Sequence, residues 1–117
     1  MIFVFESNRA GKYVRGASLY AQRHYGARYN VTEGFVGNSY AIPTKNEVGS
    51  PLPLEEIKKS VEKFLAYAKN NPSKFFLITP IGHRLPRYKG RKIQGMFGDV
   101  PDNCILPESW EEMPGYF

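Results

Sequence analysis

The sequence predicts a single α/β domain, with a short, mostly parallel mixed sheet and helices packed on it. Three observations carry this. Short apolar runs at residues 2–5, 39–43 and 75–78 alternate with helical spacings, and crossovers between parallel strands need helices. A strongly amphipathic stretch follows Pro53. The 117 residues suffice for one core and are too few for two.

Residues 2–5 (Ile-Phe-Val-Phe) are too few for a helix, rich in β-formers, and followed by the turn-prone Ser7, Asn8 and Gly11. A buried first strand and a loop are expected. From there Ala17, Tyr20, Ala21 and His24 fall on one helical face, which places His24 inward as a core residue, and Gly26 is set to end the helix. Between Tyr29 and Gly37 the apolar Val31, Phe35 and Val36 alternate only loosely with polar residues, as in a loop or an irregular hairpin. Residues 39–43 read as a second buried strand that Pro43 stops.

The strongest local pattern comes next. Pro53 suits a first helical turn, Glu55 and Glu56 suit the positive end of the helix dipole, and Ile57, Val61, Phe64, Leu65 and Ala68 form an apolar stripe. This spacing predicts a helix of about four turns that ends before Asn70-Asn71-Pro72. Residues 74–79 then supply a strand, 91–97 a short helix and 103–106 a last strand, with an irregular tail over 107–117. There are no repeats, low-complexity segments or linkers.

Composition narrows the setting. No apolar run approaches the roughly 20 residues of a membrane span, and the apolar start lacks the preceding basic segment of a signal peptide. A soluble domain with no membrane partner is expected. The lone Cys104 excludes an internal disulfide and fits a reducing compartment, by default the cytoplasm. Two histidines and one cysteine make no zinc ligand set, so neither metal nor cofactor is expected. The net charge of +5 favours an anionic partner: a nucleotide, a nucleic acid or an acidic protein surface.

In parallel sheets ligands gather where loops leave the carboxyl ends of strands. Two such loops are expected, at residues 6–16 and 80–90. In the first, Ser7, Asn8, Gly11, Gly16 and Ala17 combine small residues with a helix start, a composition that lets backbone amides approach phosphate. The more ordinary reading is that the glycines serve only a tight turn and that Asn8 bonds its own backbone. In the second, Gly82 precedes a titratable His83, the fork-shaped guanidinium groups of Arg84 and Arg87, and the stacking ring of Tyr88. That loop reads either as an anion site or as a basic surface that contacts another protein. No nucleophile and base declare themselves as a pair. Glu33 offers a base or an ordinary exposed carboxylate. Trp110, Tyr116 and Phe117 either fold back on the core or form a sticky tail suited to assembly.

Beyond these patterns, the chain resembles a family of short phage and prophage proteins similar to a compact macro domain. The resemblance covers nearly the whole length. It rests on Phe3 to Gly11 (Phe-Val-Phe-x-Ser-Asn-x-x-Gly), Gly16-Ala17, His24-Tyr25-Gly26-Ala27, Glu33-Gly34, Gly37 to Lys45, and Thr79 with Ile81-Gly82. Leu85, Tyr88, Ile93, Phe97, Asn103 and Leu106-Pro107 also fit. In macro domains such glycine-rich loops cradle the diphosphate of ADP-ribose, and an asparagine near the first loop addresses the distal ribose. The resemblance therefore implies a first ligand loop of Ser7, Asn8, Gly11, Gly16 and Ala17, and a second of Gly82 and Tyr88. This chain departs from the family where Glu6 replaces a glycine, Tyr13-Val14 replaces His-Gly, and His83, Arg84, Pro86 and Arg87 stand in a glycine-rich loop. Such side chains crowd a backbone that must approach phosphate, and Glu6 repels an anion.

Two functions follow as expectations. One is a phage-type macro-like module that binds a phosphorylated, nucleotide-derived ligand, ADP-ribose-like or a host signalling nucleotide, which it sequesters or slowly hydrolyses in the host cytoplasm. The alternative is a non-enzymatic phage structural or accessory protein, tail-associated, that assembles as a homo-oligomer or with a phage partner. A small basic nucleic-acid binder is the least favoured, because no known module signature is present.

Overall fold

The computed structural model describes residues 1–110. The elements run β1 (Ile2–Asn8), α1 (Gly16–His24), β2 (Gly34–Val36), β3 (Ser39–Lys45), α2 (Leu54–Lys69), β4 (Phe76–Ile78), α3 (Arg87–Gly95) and β5 (Cys104–Ile105), closed by a 3-10 turn, Glu108–Trp110. Among the described residues the strands form one sheet in the order β2-β3-β1-β4-β5. All neighbours are parallel except β2, which pairs antiparallel with β3 as an edge hairpin. This is the mixed, mostly parallel α/β sheet expected.

The central strand explains the layers. Side chains along β1 alternate between faces, so Ile2 and Val4 enter one core while Phe3 and Phe5 enter another. A strand buried on both sides reads as a continuous apolar run. The chain leaves β1 towards β3 through α1, then steps back across β1 to β4 through α2. Right-handed crossovers in opposite directions put their helices on opposite faces. Accordingly Ala21 of α1 packs with Phe3, Phe5 and Tyr13, whereas Ile57, Val61, Phe64 and Ala68 of α2 join Ile93 and Phe97 on the other side. Phe64 is the hub of that larger core, edge-on to Tyr40 and Phe76. Each such fully buried side chain stabilises the fold by about 1.5–3 kcal/mol.

Five expectations need correction. β1 runs on to Asn8, so Ser7 and Asn8, expected in the loop, lie on the strand opposite Pro43 and Lys45 of β3. β3 continues through Pro43 to Lys45, because β2 pairs only with Ser39 to Ala41 and leaves the outer edge of β3 open at Pro43. A missing N–H on an open edge breaks no ladder bond. α3 starts at Arg87, four residues before the predicted helix, with Pro86 as its N-cap at φ −47°. Gly90, which looked like loop punctuation, lies inside this helix and lets it touch the preceding loop: a Cβ there would sit 2.8 Å from the Gly82 carbonyl oxygen. His24 is exposed and packs at 4.5 Å, tilted by 44°, on the exposed Tyr20 ring, not on the core. Of the two roles open to the tail aromatics, Trp110 takes the inward one, 1 % exposed against Phe97. Tyr116 and Phe117 lie outside the described residues.

Two buried phenols give a first prediction. Tyr13, edge-on to Phe5, donates its hydroxyl to the Val31 carbonyl, and burial pushes its pKa up to about 12. Burial, and then the charges of Glu33 and Tyr67, push Tyr40 to about 12 as well. Both rise above the unfolded value near 10, so their contribution to stability is complete below pH 10 and is lost as pH climbs towards 12. In an ultraviolet phenolate titration, two of the eight tyrosines should ionise last, together with unfolding. A single transition near pH 10 for all of them would contradict this burial.

Candidate functional site

The crossover reversal at β1 opens a crevice between the β1–α1 and β4–α3 loops, since these turn to opposite faces. Such a switch point is where open α/β sheets place ligands.

One wall comes from β1 and β3. Asn8 lies opposite Lys45 in the parallel register, and the Arg9 amide donates to the Lys45 carbonyl at 2.9 Å. The Asn8 side chain turns on its own loop: Nδ2 donates to the Lys12 carbonyl at 2.9 Å, while Oδ1 accepts from the Lys12 amide at 3.3 Å. The self-bonded alternative for this residue is therefore realised, and it shapes the rim. Ser7 is buried and donates to the Thr32 carbonyl at 2.5 Å. Beyond β3, Asn46 accepts from the Val48 and Ser50 amides and folds the 46–50 loop into a second rim.

The floor is the start of α1. Arg15 is its extended N-cap residue, yet no side chain caps the helix and no acid lies in its first turn. The first-turn amides of a helix lack intrahelical acceptors and carry the positive end of its dipole. Gly16, Ala17 and Ser18 turn this end to the crevice.

Across from it stands the β4–α3 loop. Thr79 anchors the loop by donating to the Val4 carbonyl at 2.7 Å. Next, the Gly82 amide donates to Glu6 Oε1 at 3.1 Å, and the Thr44 hydroxyl donates to Glu6 Oε2 at 2.6 Å. Glu6 thus sits on the loop as a carboxylate ligand, binding β1, β3 and the β4–α3 turn together. Arg84 leans over the helix start, its Nη2 3.2 Å from where a Gly16 Cβ would lie.

The crevice holds about 500 Å³, within the range of small-molecule sites, and a smaller lobe of about 180 Å³ adjoins it. Glu6, Ala17 and Arg84 line both lobes. Around the larger one Lys12, Arg15, Lys45 and Arg84 outnumber Glu6 and Glu47, so the field favours an anion.

Of the sequence-predicted site residues, the structure brings Ser7, Asn8, Gly16, Ala17 and Arg84 together on the larger lobe, and His83 with Arg84 on the smaller. Gly11 is buried beneath the rim against the Asn30 backbone. Gly82 is spent on Glu6. Arg87 and Tyr88 fall on the exposed first turn of α3, away from the residues lining either lobe. Reading the sequence missed Lys12, Arg15 and Lys45. Arg15 had a signal in its place before a helix-starting glycine; Lys45 had none, because only the β1–β3 register brings it to Asn8.

Catalytic groups are sparse here. Among the described residues no three His, Cys, Asp or Glu side chains gather as metal ligands. Burial pushes the Cys104 thiol up to about 11, which suppresses its nucleophilic thiolate. Glu33 lies outside both lobes, beside Tyr40, with Oε2 buried and lacking a hydrogen-bond partner among the described residues. No helix among the described residues is long and apolar enough to cross a membrane.

No protein-family model matches the chain, and no curated protein or solved structure shows significant similarity to it.

Proposed function

We propose that the switch-point crevice binds and sequesters a phosphate-bearing, nucleotide-derived small molecule, of the class that includes ADP-ribose and signalling nucleotides. The observation that carries this reading is the uncapped, acid-free start of α1, open to the crevice beneath Arg84. An anion there accepts backbone N–H groups that nothing else satisfies and pairs with a fork-shaped guanidinium. Lys12, Arg15 and Lys45 add steering charge at the rim.

The test is a thermal-shift screen against inorganic phosphate, AMP, ribose 5-phosphate, ADP-ribose, NAD and cyclic nucleotides. A ligand at about 100 times its Kd stabilises the fold by about 2.7 kcal/mol, a shift of several degrees. Arg84→Ala is expected to weaken that ligand at least tenfold while leaving the unliganded melting temperature unchanged, because Arg84 is exposed. If no phosphorylated compound raises the melting temperature, the reading falls.

A further inference from the structure

We propose that Glu6 is the specificity-determining residue of this crevice: it admits phosphomonoesters of hydroxyl-bearing groups, such as a ribose monophosphate, and turns away diphosphates. The inference rests on the anion-binding reading above and narrows it.

Two backbone-amide sites bear on an anion in the crevice, one that lines it and one at the buried Gly82, whose carboxylate partner Glu6 lines both lobes. At the start of α1 no side chain caps them, and Gly16, Ala17 and Ser18 line the crevice beside Arg84. At the β4–α3 turn the Gly82 amide is already taken, because Glu6 Oε1 accepts it at 3.1 Å and Thr44 holds the other carboxylate oxygen at 2.6 Å. The protein thus supplies its own anion to the second place. A single phosphoryl group fits at α1 beneath Arg84. A second one, extended towards Gly82, meets a negative charge where it needs a donor.

The same carboxylate has spare acceptor capacity. Each oxygen accepts one hydrogen bond from the protein and can accept another. Glu6 lines both lobes, beside Ala17 and Arg84, so a group placed next to a phosphate at α1 reaches it from either side. Hydroxyl donors satisfy these lone pairs, and a vicinal diol satisfies both oxygens. Glu6 therefore selects twice, for a donor-bearing neighbour and against a second phosphate.

Glu6→Gln isolates the charge. The amide keeps the shape, accepts the Gly82 N–H through its oxygen and donates to the Thr44 hydroxyl, which rotates to receive it. Calorimetric titrations of wild type and Glu6→Gln with inorganic phosphate, ribose 5-phosphate and ADP-ribose decide the matter. Wild type is expected to bind ribose 5-phosphate at least tenfold more tightly than either inorganic phosphate or ADP-ribose. Glu6→Gln is expected to bind ADP-ribose at least tenfold more tightly than wild type does and to lose most of the preference for ribose 5-phosphate over phosphate. The proposal is overturned if wild type takes ADP-ribose as tightly as ribose 5-phosphate, a comparison that needs no variant, or if a folded Glu6→Gln keeps the wild-type ratios. Equal binding of all three compounds by wild type removes the role of Glu6 and leaves the anion site standing. Absence of binding by all three removes both.

Discussion

Gly11→Ala is expected to destabilise the protein by about 2–4 kcal/mol and to lower its melting temperature by roughly 10 °C. Gly11 has φ +69°, and a Cβ on it would lie 2.6 Å from the Asn30 Cα and 2.7 Å from the Asn30 nitrogen. Both obstacles are backbone, so no side chain can swing aside. The Asn30 amide donates to the Gly11 carbonyl at 3.0 Å, and Asn30 is itself left-handed at φ 69°. Separating the two loops would break that hydrogen bond and disturb two unusual backbone conformations together. The left-handed conformation alone costs a non-glycine residue about 1–2 kcal/mol. Gly49→Ala measures that part, since Gly49 has φ +84° with open space where its Cβ would go. Equal losses for the two variants, read by chemical denaturation, would show that loop contact at Gly11 carries no weight.

Gly11 also illustrates how far the sequence reveals the site. A glycine after Ser7 and Asn8 marks a special backbone position, and the structure has one there. Its purpose is contact with another loop, not with a ligand, and Asn30 lies 19 residues further along the chain. Glu6 carries the same lesson. Its charge was legible as an obstacle to phosphate, but its partners Thr44 and Gly82 are 38 and 76 residues away and meet it only once β1 lies between β3 and β4. Residues close in sequence around the β1–α1 connection, such as Ser7, Gly16 and Ala17, could be named in advance; those delivered by strand pairing could not.

The fold divides along similar lines. α2 was legible because a stripe over 16 residues repeats its period several times, and Ile57, Val61, Phe64 and Ala68 are all buried as that stripe requires. α3 spans nine residues and has a glycine in the middle, so its period is barely sampled and Gly90 argues against it locally. Tertiary contact with Gly82 outweighs that cost. His24 failed for a related reason: α1 is short, buries only Ala21 fully, and leaves a wide face to solvent. Strand existence was readable from the apolar runs, while strand order was not, because a continuous run declares burial on both sides without naming a neighbour.

Asn103 carries the second large effect, through a contact that no sequence pattern announces. Its Nδ2 donates to the carbonyls of Ala68, Asn71 and Lys74 at 3.0, 3.0 and 2.9 Å, and the residue is 7 % exposed. Two hydrogens serve three acceptors, so one of them is shared. The last carbonyls of a helix have no intrahelical donor, and Asn103 supplies one to the end of α2 while its own carbonyl accepts from the Phe76 amide at 2.9 Å. One side chain thus ties the end of α2 to the start of the β4–β5 pairing. Asn103→Ala is expected to cost about 2–4 kcal/mol, because the Lys74 carbonyl loses its donor while the Ala68 and Asn71 carbonyls, which also accept the Asn71 and Lys74 amides, each lose one of two. Asn103→Asp separates hydrogen bonding from packing, since it keeps the volume but turns an acceptor-only carboxylate on three carbonyls. At neutral pH it is expected to be less stable than Asn103→Ala. Burial and the facing dipoles would raise the folded pKa of the new carboxyl above its unfolded value of about 3.9. Its penalty is then smallest below about pH 4 and grows as pH rises through the folded value, so acid should narrow the gap between the Asp and Ala variants. Denaturation curves at neutral and acid pH decide it: an Asp variant as stable as wild type at neutral pH would mean that the Asn103 amide donates nothing the fold depends on.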